Sequence, residues 1–97
     1  MRYIAIFEDT GPMPAVRQST EPAHLDYLDA HHDEIKMAGG LREVAGGPYV
    51  GGLWVCEVSS RERALELIEA DPYYQTHPRP YRLLLWGKAL PQRVVEM

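Results

Sequence analysis

Three stretches of this chain place apolar side chains on both faces of an extended backbone. In residues 53–58, Leu53 and Val55 point one way while Trp54, Cys56 and Val58 point the other. Residues 2–8 set Tyr3, Ala5 and Phe7 against Ile4 and Ile6, and residues 81–89 set Leu83 and Leu85 against Leu84 and Trp86. Successive strand residues face opposite sides, so an antiparallel sheet covered by helices on one face should alternate apolar and polar residues. A sheet made from these strands needs cover on both faces. The 97 residues fit one domain, 1–97, with two helices, and two helices cover one face. Left bare, the other face is a large apolar patch of a kind monomers rarely tolerate. Covering even ~600 Å² of it contributes roughly 15 kcal/mol gross, before the costs of association. The expectation is a homodimer packed sheet to sheet; the alternative cover is the loop at 9–20 or the C-terminal tail.

Composition removes several function classes. Ten Lys/Arg against 14 Asp/Glu give a net charge of −4, with no basic stripe to neutralise phosphates, so no nucleic-acid partner is expected. The longest purely apolar run, Tyr3 to Phe7, is far short of the roughly 20 residues of a membrane helix, and no signal-peptide pattern precedes it. No membrane partner and a cytoplasmic location are expected. The single cysteine, Cys56, excludes an intrachain disulfide framework and a cysteine-based zinc site.

Residues 2–8 read as a first strand ended by Asp9-Thr10-Gly11-Pro12. A polar loop follows to about Ser19. Thr20 then caps a helix running from Glu21 to about Lys36, with Pro22 in its first turn. A short strand is expected near 41–45, a glycine-rich turn at 46–52, and a strand at 53–58. Ser59 with Glu62 reads as a capping box for a second helix, which stops at Asp71 because Pro72 follows. A proline-rich loop leads to a last strand at 81–89. The order β-α-β-β-α-β is the α+β, ferredoxin-like plan, with both helices on one side of an antiparallel sheet.

His24 falls in the first turn of that predicted helix, where the dipole favours neutral imidazole, the form that serves as a general base. The alternative is a half-buried packing histidine. His31 and His32 read as helix-end or solvent residues. A metal shared by His24 and His31 is not expected, because seven helical residues separate their backbones by roughly 10 Å. Asp33 is too far along the same helix to orient His24. Asp71, held at a helix end, is the alternative orienting carboxylate, or else a simple helix stop. In this plan the end of helix two is expected at the opposite pole from the start of helix one, so contact would need the 71–80 loop to fold back or the partner chain to supply the aspartate. Tyrosines 3, 49, 73, 74 and 81 with Arg17 are candidates to line a pocket for a small flat or anionic molecule, or else fill core and interface. Tyr3, Arg17 and Tyr73 are carried forward as substrate-binding residues.

Six pieces recur in order along nearly the whole chain: Met1-Arg2-Tyr3; Pro22-Ala23-His24-Leu25 with Tyr27-Leu28; Met37-Ala38-Gly39-Gly40; Gly51-Gly52-Leu53; Ser60-Arg61-Glu62; and Glu69-Ala70-Asp71-Pro72-Tyr73. Together they resemble the YciI family, the YCII-related domains. The resemblance implies a ferredoxin-like fold that forms a dimeric α/β barrel. It also implies a His/Asp-centred site, falling on His24 and Asp71, in a family that includes a dehydrochlorinase-like member acting on a chlorinated hydroxyquinol. Many relatives have arginine where this chain has Glu21, and Gly-Pro where it reads Gly40-Leu41. The resulting expectation is a homodimeric acid–base enzyme without metal or organic cofactor. His24 would be the acid/base and Asp71 would orient it, acting on a small cyclic or aromatic molecule by isomerisation, elimination or hydrolysis. The alternative is a non-catalytic module of the same fold that binds a small ligand or a partner.

Overall fold

In β1 (Arg2–Glu8) every second residue is buried. Tyr3, Ala5 and Phe7 face the core, and Ile4 and Ile6 face the other way, half-buried. The computed structural model describes residues 1–96. β1 pairs antiparallel with both β3 (Tyr49–Glu57) and β4 (Tyr81–Leu85), and β2 (Ile35–Arg42) pairs antiparallel with β3. The sheet order is β2-β3-β1-β4, with the two strands richest in β-branched and aromatic residues in the middle.

α1 (Met13–Ala30) and α2 (Arg61–Ala70) cover the face that carries Tyr3, Ala5, Phe7, Trp54 and Cys56. α2 buries Ala64, Leu67 and Ile68 there, and Tyr27 and Leu28 of α1 pack against the same cluster. The fold is the expected α+β, ferredoxin-like arrangement, with one extra turn of helix, α3 (Pro72–Thr76), before β4.

No helix among the described residues covers the opposite face. Register places Ile4 beside Val55 and Leu84, and Ile6 beside Leu53, on that side. Val55 is buried, but Met37, Leu41, Leu84 and Trp86 are more than a third exposed. The second apolar face read from the strands is therefore present.

Several element boundaries differ from the expectation. α1 begins at Met13, not near Thr20, so Pro12 flanks its first turn and Pro22 sits in its interior, where the missing N–H gives up one intrahelical bond. The helix ends at Ala30, and residues 35–42, expected partly as helix, form β2 because they pair with β3. Ser60, not Ser59, caps α2: its side chain accepts the Arg63 N–H at 3.1 Å. β4 ends at Leu85 rather than 89.

Chain direction corrects a further expectation. β1 and β2 each run antiparallel to β3, so they are parallel to each other. α1 returns against β1, and α2 returns against β3, so the two helices are antiparallel. The end of α2 and the start of α1 therefore lie at the same end of the sheet, and no partner chain is required to join them.

Candidate active site

Pro72 forces the residue before it out of the helical region, and Asp71 accordingly has φ −63° and ψ 130°. This break ends α2. The Asp71 carboxylate then caps α3 by accepting the Tyr73 N–H at 3.2 Å. A carboxylate pinned this way has a fixed direction, and its Oδ1 lies 2.7 Å from His24 Nδ1 on α1. Both residues are buried, at 2 % exposure for Asp71 and 8 % for His24. The Tyr73 ring stacks flat on the imidazole, with centroids 3.7 Å apart and planes 6° from parallel.

Asp71 Oδ1 already accepts a backbone N–H, so it acts as an acceptor toward His24 as well. The hydrogen-bond network thus assigns the proton to Nδ1, which donates to Asp71, and leaves the Nε2 lone pair free. Nε2 has no hydrogen-bond partner among the described residues, and no buried side-chain nitrogen or oxygen there lacks one. Nε2 therefore opens to solvent. It does so in a cleft of about 200 Å³ whose walls include Arg17, Glu21, Tyr49, Trp54, Tyr73 and Arg79.

One carboxylate builds the cationic wall. Asp9, just past the end of β1, accepts from Arg79 Nη1 at 2.6 Å and from Arg17 Nε and Nη2 at 3.1 and 3.2 Å. Arg17 also donates to the Gly51 carbonyl at 3.0 Å and lies over the Tyr49 ring. Arg79 is only 4 % exposed, with its guanidinium over Phe7. It packs close against Gly52, where a Cβ would come to 3.1 Å from Arg79 Nη2. Burial pulls the Arg79 pKa below the usual guanidinium value, and the Asp9 carboxylate works against that pull. Burial likewise raises the Tyr73 phenol. Below the pair, Tyr27 donates to the Leu67 carbonyl at 2.8 Å, and burial, reinforced by the Asp71 charge, pushes its phenol up to about 12. Tyr27 and Tyr73 are therefore neutral hydrogen-bonding and stacking groups at ordinary pH.

Four of the five residues singled out from the sequence meet here: His24, Asp71, Arg17 and Tyr73. Tyr3 does not line the cleft. It is buried in the sheet core opposite Cys56 and Leu85, so the place expected for it in a binding pocket is corrected to a packing position. The dipole argument for His24 also fails, since His24 lies in the second half of α1 rather than its first turn; Asp71 and Tyr73 set its environment instead. His77 pairs with Thr10 Oγ1 at 3.2 Å. Cys56 is fully buried and its thiol is pushed up to about 11 by burial. Among the described residues no group of three or more His, Cys, Asp or Glu side chains is placed to hold a metal. No described helix is long and apolar enough to cross a membrane.

Asp9 and Arg79 were hidden in the sequence. Asp9 reads as the first residue of a turn, and Arg79 as one polar residue between Pro78 and Pro80. The usable signal was that a lone arginine held in a rigid proline frame needs a carboxylate if it is buried.

The comparisons with known proteins bear on the fold and the family. The structure is similar to 5-chloro-2-hydroxyhydroquinone dehydrochlorinase (TftG) from Burkholderia phenoliruptrix, solved as a complex with 2,5-dihydroxybenzoquinone. The two share 21% identity over 90% of this chain and 94% of that one, with a TM-score of 0.75, a likeness of fold. A protein of Agrobacterium tumefaciens matches at 17% identity over 94% of this chain and 98% of its own, with a TM-score of 0.48. A comparison with curated proteins finds no match. The model of the YCII-related domain matches residues 1–86, nearly the whole sequence, and the chain therefore belongs to the family of YCII-related domains.

Proposed function

We propose that His24 and Asp71 form a general acid–base pair acting on a small cyclic or aromatic molecule. One observation carries the reading: His24 Nδ1 is held 2.7 Å from Asp71 while Nε2 opens into the cleft. Nε2 accepts a proton from a ring C–H or O–H or, for hydrolysis, from the water that attacks the substrate. Asp71 stabilises the resulting imidazolium, and the same nitrogen returns the proton to the product or leaving group. That sequence serves isomerisation, elimination or hydrolysis, and a positioned acid–base group contributes typically about 10²–10⁴-fold.

The size and walls of the cleft support the substrate class. At about 200 Å³ it lies below the roughly 300 Å³ typical of sites for drug-sized ligands, and Tyr49, Trp54 and Tyr73 offer flat faces to a single ring. The similar dehydrochlorinase was solved with 2,5-dihydroxybenzoquinone, a molecule of this scale. The open apolar face of the sheet supports a sheet-to-sheet homodimer as the working form.

The test is solvent deuterium exchange into the ring positions of a panel of dihydroxybenzenes and chlorinated dihydroxybenzenes, followed by NMR. The wild-type protein is expected to accelerate exchange or chloride release for at least one member, and His24→Ala to abolish the acceleration. Full acceleration with His24→Ala would sink the proposal. Binding without exchange by any member would identify a ligand-binding module instead.

A further inference from the structure

The two arginines of the cleft suggest at first a site for anions, but their charge is already engaged. Both guanidiniums converge on Asp9, and Arg17 spends a further donor on the Gly51 carbonyl. The Asp71 carboxylate is likewise engaged, by His24 and the Tyr73 N–H. Glu21 is different. It is exposed, and it has no hydrogen bond or ion pair among the described residues.

Position makes this charge count. Glu21 lies three residues before His24 on α1, on the same helix face at a Cβ separation of about 5–6 Å. Arg17, four residues before Glu21, is at the spacing where an Arg–Glu pair would ordinarily form on a helix, yet its guanidinium is drawn to Asp9 instead. Glu21 borders both the cleft that holds His24 and an adjoining outer groove of about 590 Å³, lined also by Pro14, Pro22 and Pro48. Its carboxylate therefore stands at the junction a ligand crosses on its way to Nε2. Counting the groups in and directly behind the wall, Arg17, Arg79 and Arg42, whose guanidinium lies 4.3 Å from the Tyr49 ring, face Asp9, Glu21 and Asp71. With His24 neutral the charges balance, and Glu21 is the carboxylate left without a partner among the described residues.

We propose that Glu21 sets the charge preference of this cleft, so that it takes a neutral or cationic single-ring molecule with a hydrogen-bond donor and disfavours the anionic isostere. The inference rests on the reading that the cleft is the ligand site. The remaining arginine donors still accommodate a ring oxygen that accepts a hydrogen bond, while Glu21 receives the donor. With water-like screening at about 6 Å, one unit charge distinguishes a ligand cation from its anion by about tenfold in affinity, and less as salt is raised.

The experiment compares benzamidinium, benzamide and benzoate, three isosteres of charge +1, 0 and −1. Binding is followed at low ionic strength by the indole N–H signal of Trp54, which lines the cleft, with Trp86, outside it, as the internal control. In the wild-type protein the expected order is benzamidinium tightest and benzoate weakest, across about tenfold. Glu21→Gln should compress that range severalfold, and Glu21→Arg should reverse it. Benzoate binding as tightly as benzamidinium to the wild-type protein overturns the inference, and so does an order unchanged by Glu21→Arg. Failure of all three probes to move Trp54 at tens of millimolar also overturns it. The acid–base proposal is judged separately by His24→Ala: exchange lost to that variant with no charge order leaves the chemistry standing, and a charge order without exchange leaves a selective binding site.

Discussion

Replacing Asp9 by alanine tests the account of the cleft wall at its most exposed assumption, that one carboxylate keeps two guanidiniums in place. Arg79 is 4 % exposed and bonds to Asp9 at 2.6 Å. Arg17 is more accessible and keeps its bond to the Gly51 carbonyl after the change, so most of the cost falls on Arg79. Removing one partner of a buried ion pair costs about 3–5 kcal/mol, because the other charge is left buried and uncompensated. A domain of this size has roughly 5–15 kcal/mol in total, so Asp9→Ala should remove a large share of its stability. The assay is urea unfolding at fixed protein concentration, read through tryptophan fluorescence. A lower midpoint at unchanged slope marks lost stability rather than a changed unfolded state. The double variant Asp9→Ala/Arg79→Met removes both charges and leaves an apolar chain over Phe7, so it should recover at least half of the loss. A cost below about 1 kcal/mol for Asp9→Ala, or a double variant as unstable as the sum of its singles, would refute the argument.

Other outcomes follow from the same geometry. Asp71→Asn keeps an acceptor for the Tyr73 N–H but offers His24 an amide; catalysed exchange should fall about 10²–10⁴-fold, and ¹⁵N shifts of His24 should report a changed tautomer in a folded protein. Glu34 accepts three hydrogen bonds from Arg63, which hold its carboxyl below the ordinary 4.5. A lowered folded pKa contributes stability that is full above 4.5 and is lost as pH falls through the folded value. The advantage of wild type over Glu34→Gln in thermal melts should therefore be constant above pH 4.5 and shrink below it; an advantage that grows on acidification would contradict the pairing. Cys56 should resist a water-soluble disulfide reagent at pH 8 in the folded protein and react promptly in urea, as follows from full burial and a thiol pushed up to about 11. Leu84→Asp, on the open face beside Ile4, should convert a sheet-to-sheet dimer to monomers in sedimentation, and an unchanged sedimentation profile would place the contact elsewhere.

What could be read in advance was whatever local chemistry decides alone. The alternation of Tyr3, Ala5 and Phe7 fixed β1, and the Asp71-Pro72 pair fixed the end of α2, because both signals depend on neighbours one or two residues away. The start of α1 was illegible for the opposite reason: residues 13–19 bury only Met13 and Val16, too few to display a period, while Thr20 and Pro22 imitate a helix start. β2 was misplaced because Gly39 and Gly40 look like breakers. In the sheet Gly40 is required, since a Cβ there would run into the Tyr49 ring. Among the site residues, His24 and Asp71 were legible as a pair chiefly through the family pattern. Asp9 and Arg79 stand 70 residues apart, and their meeting depends on how β1 and the loop before β4 converge, which no local pattern encodes.

Asp71 ends one helix, opens the next and grips the imidazole, so three structural duties share a single side chain. An insertion of one residue within 61–70 would swing that carboxylate by about 100° around the helix axis and point it away from α1. The hairpin tip between β2 and β3 carries no such constraint. Length variation among functional descendants of this chain should accordingly accumulate at the hairpin and be absent from the ten-residue helix, whose turn count works as a spacer gauge for the His24–Asp71 contact.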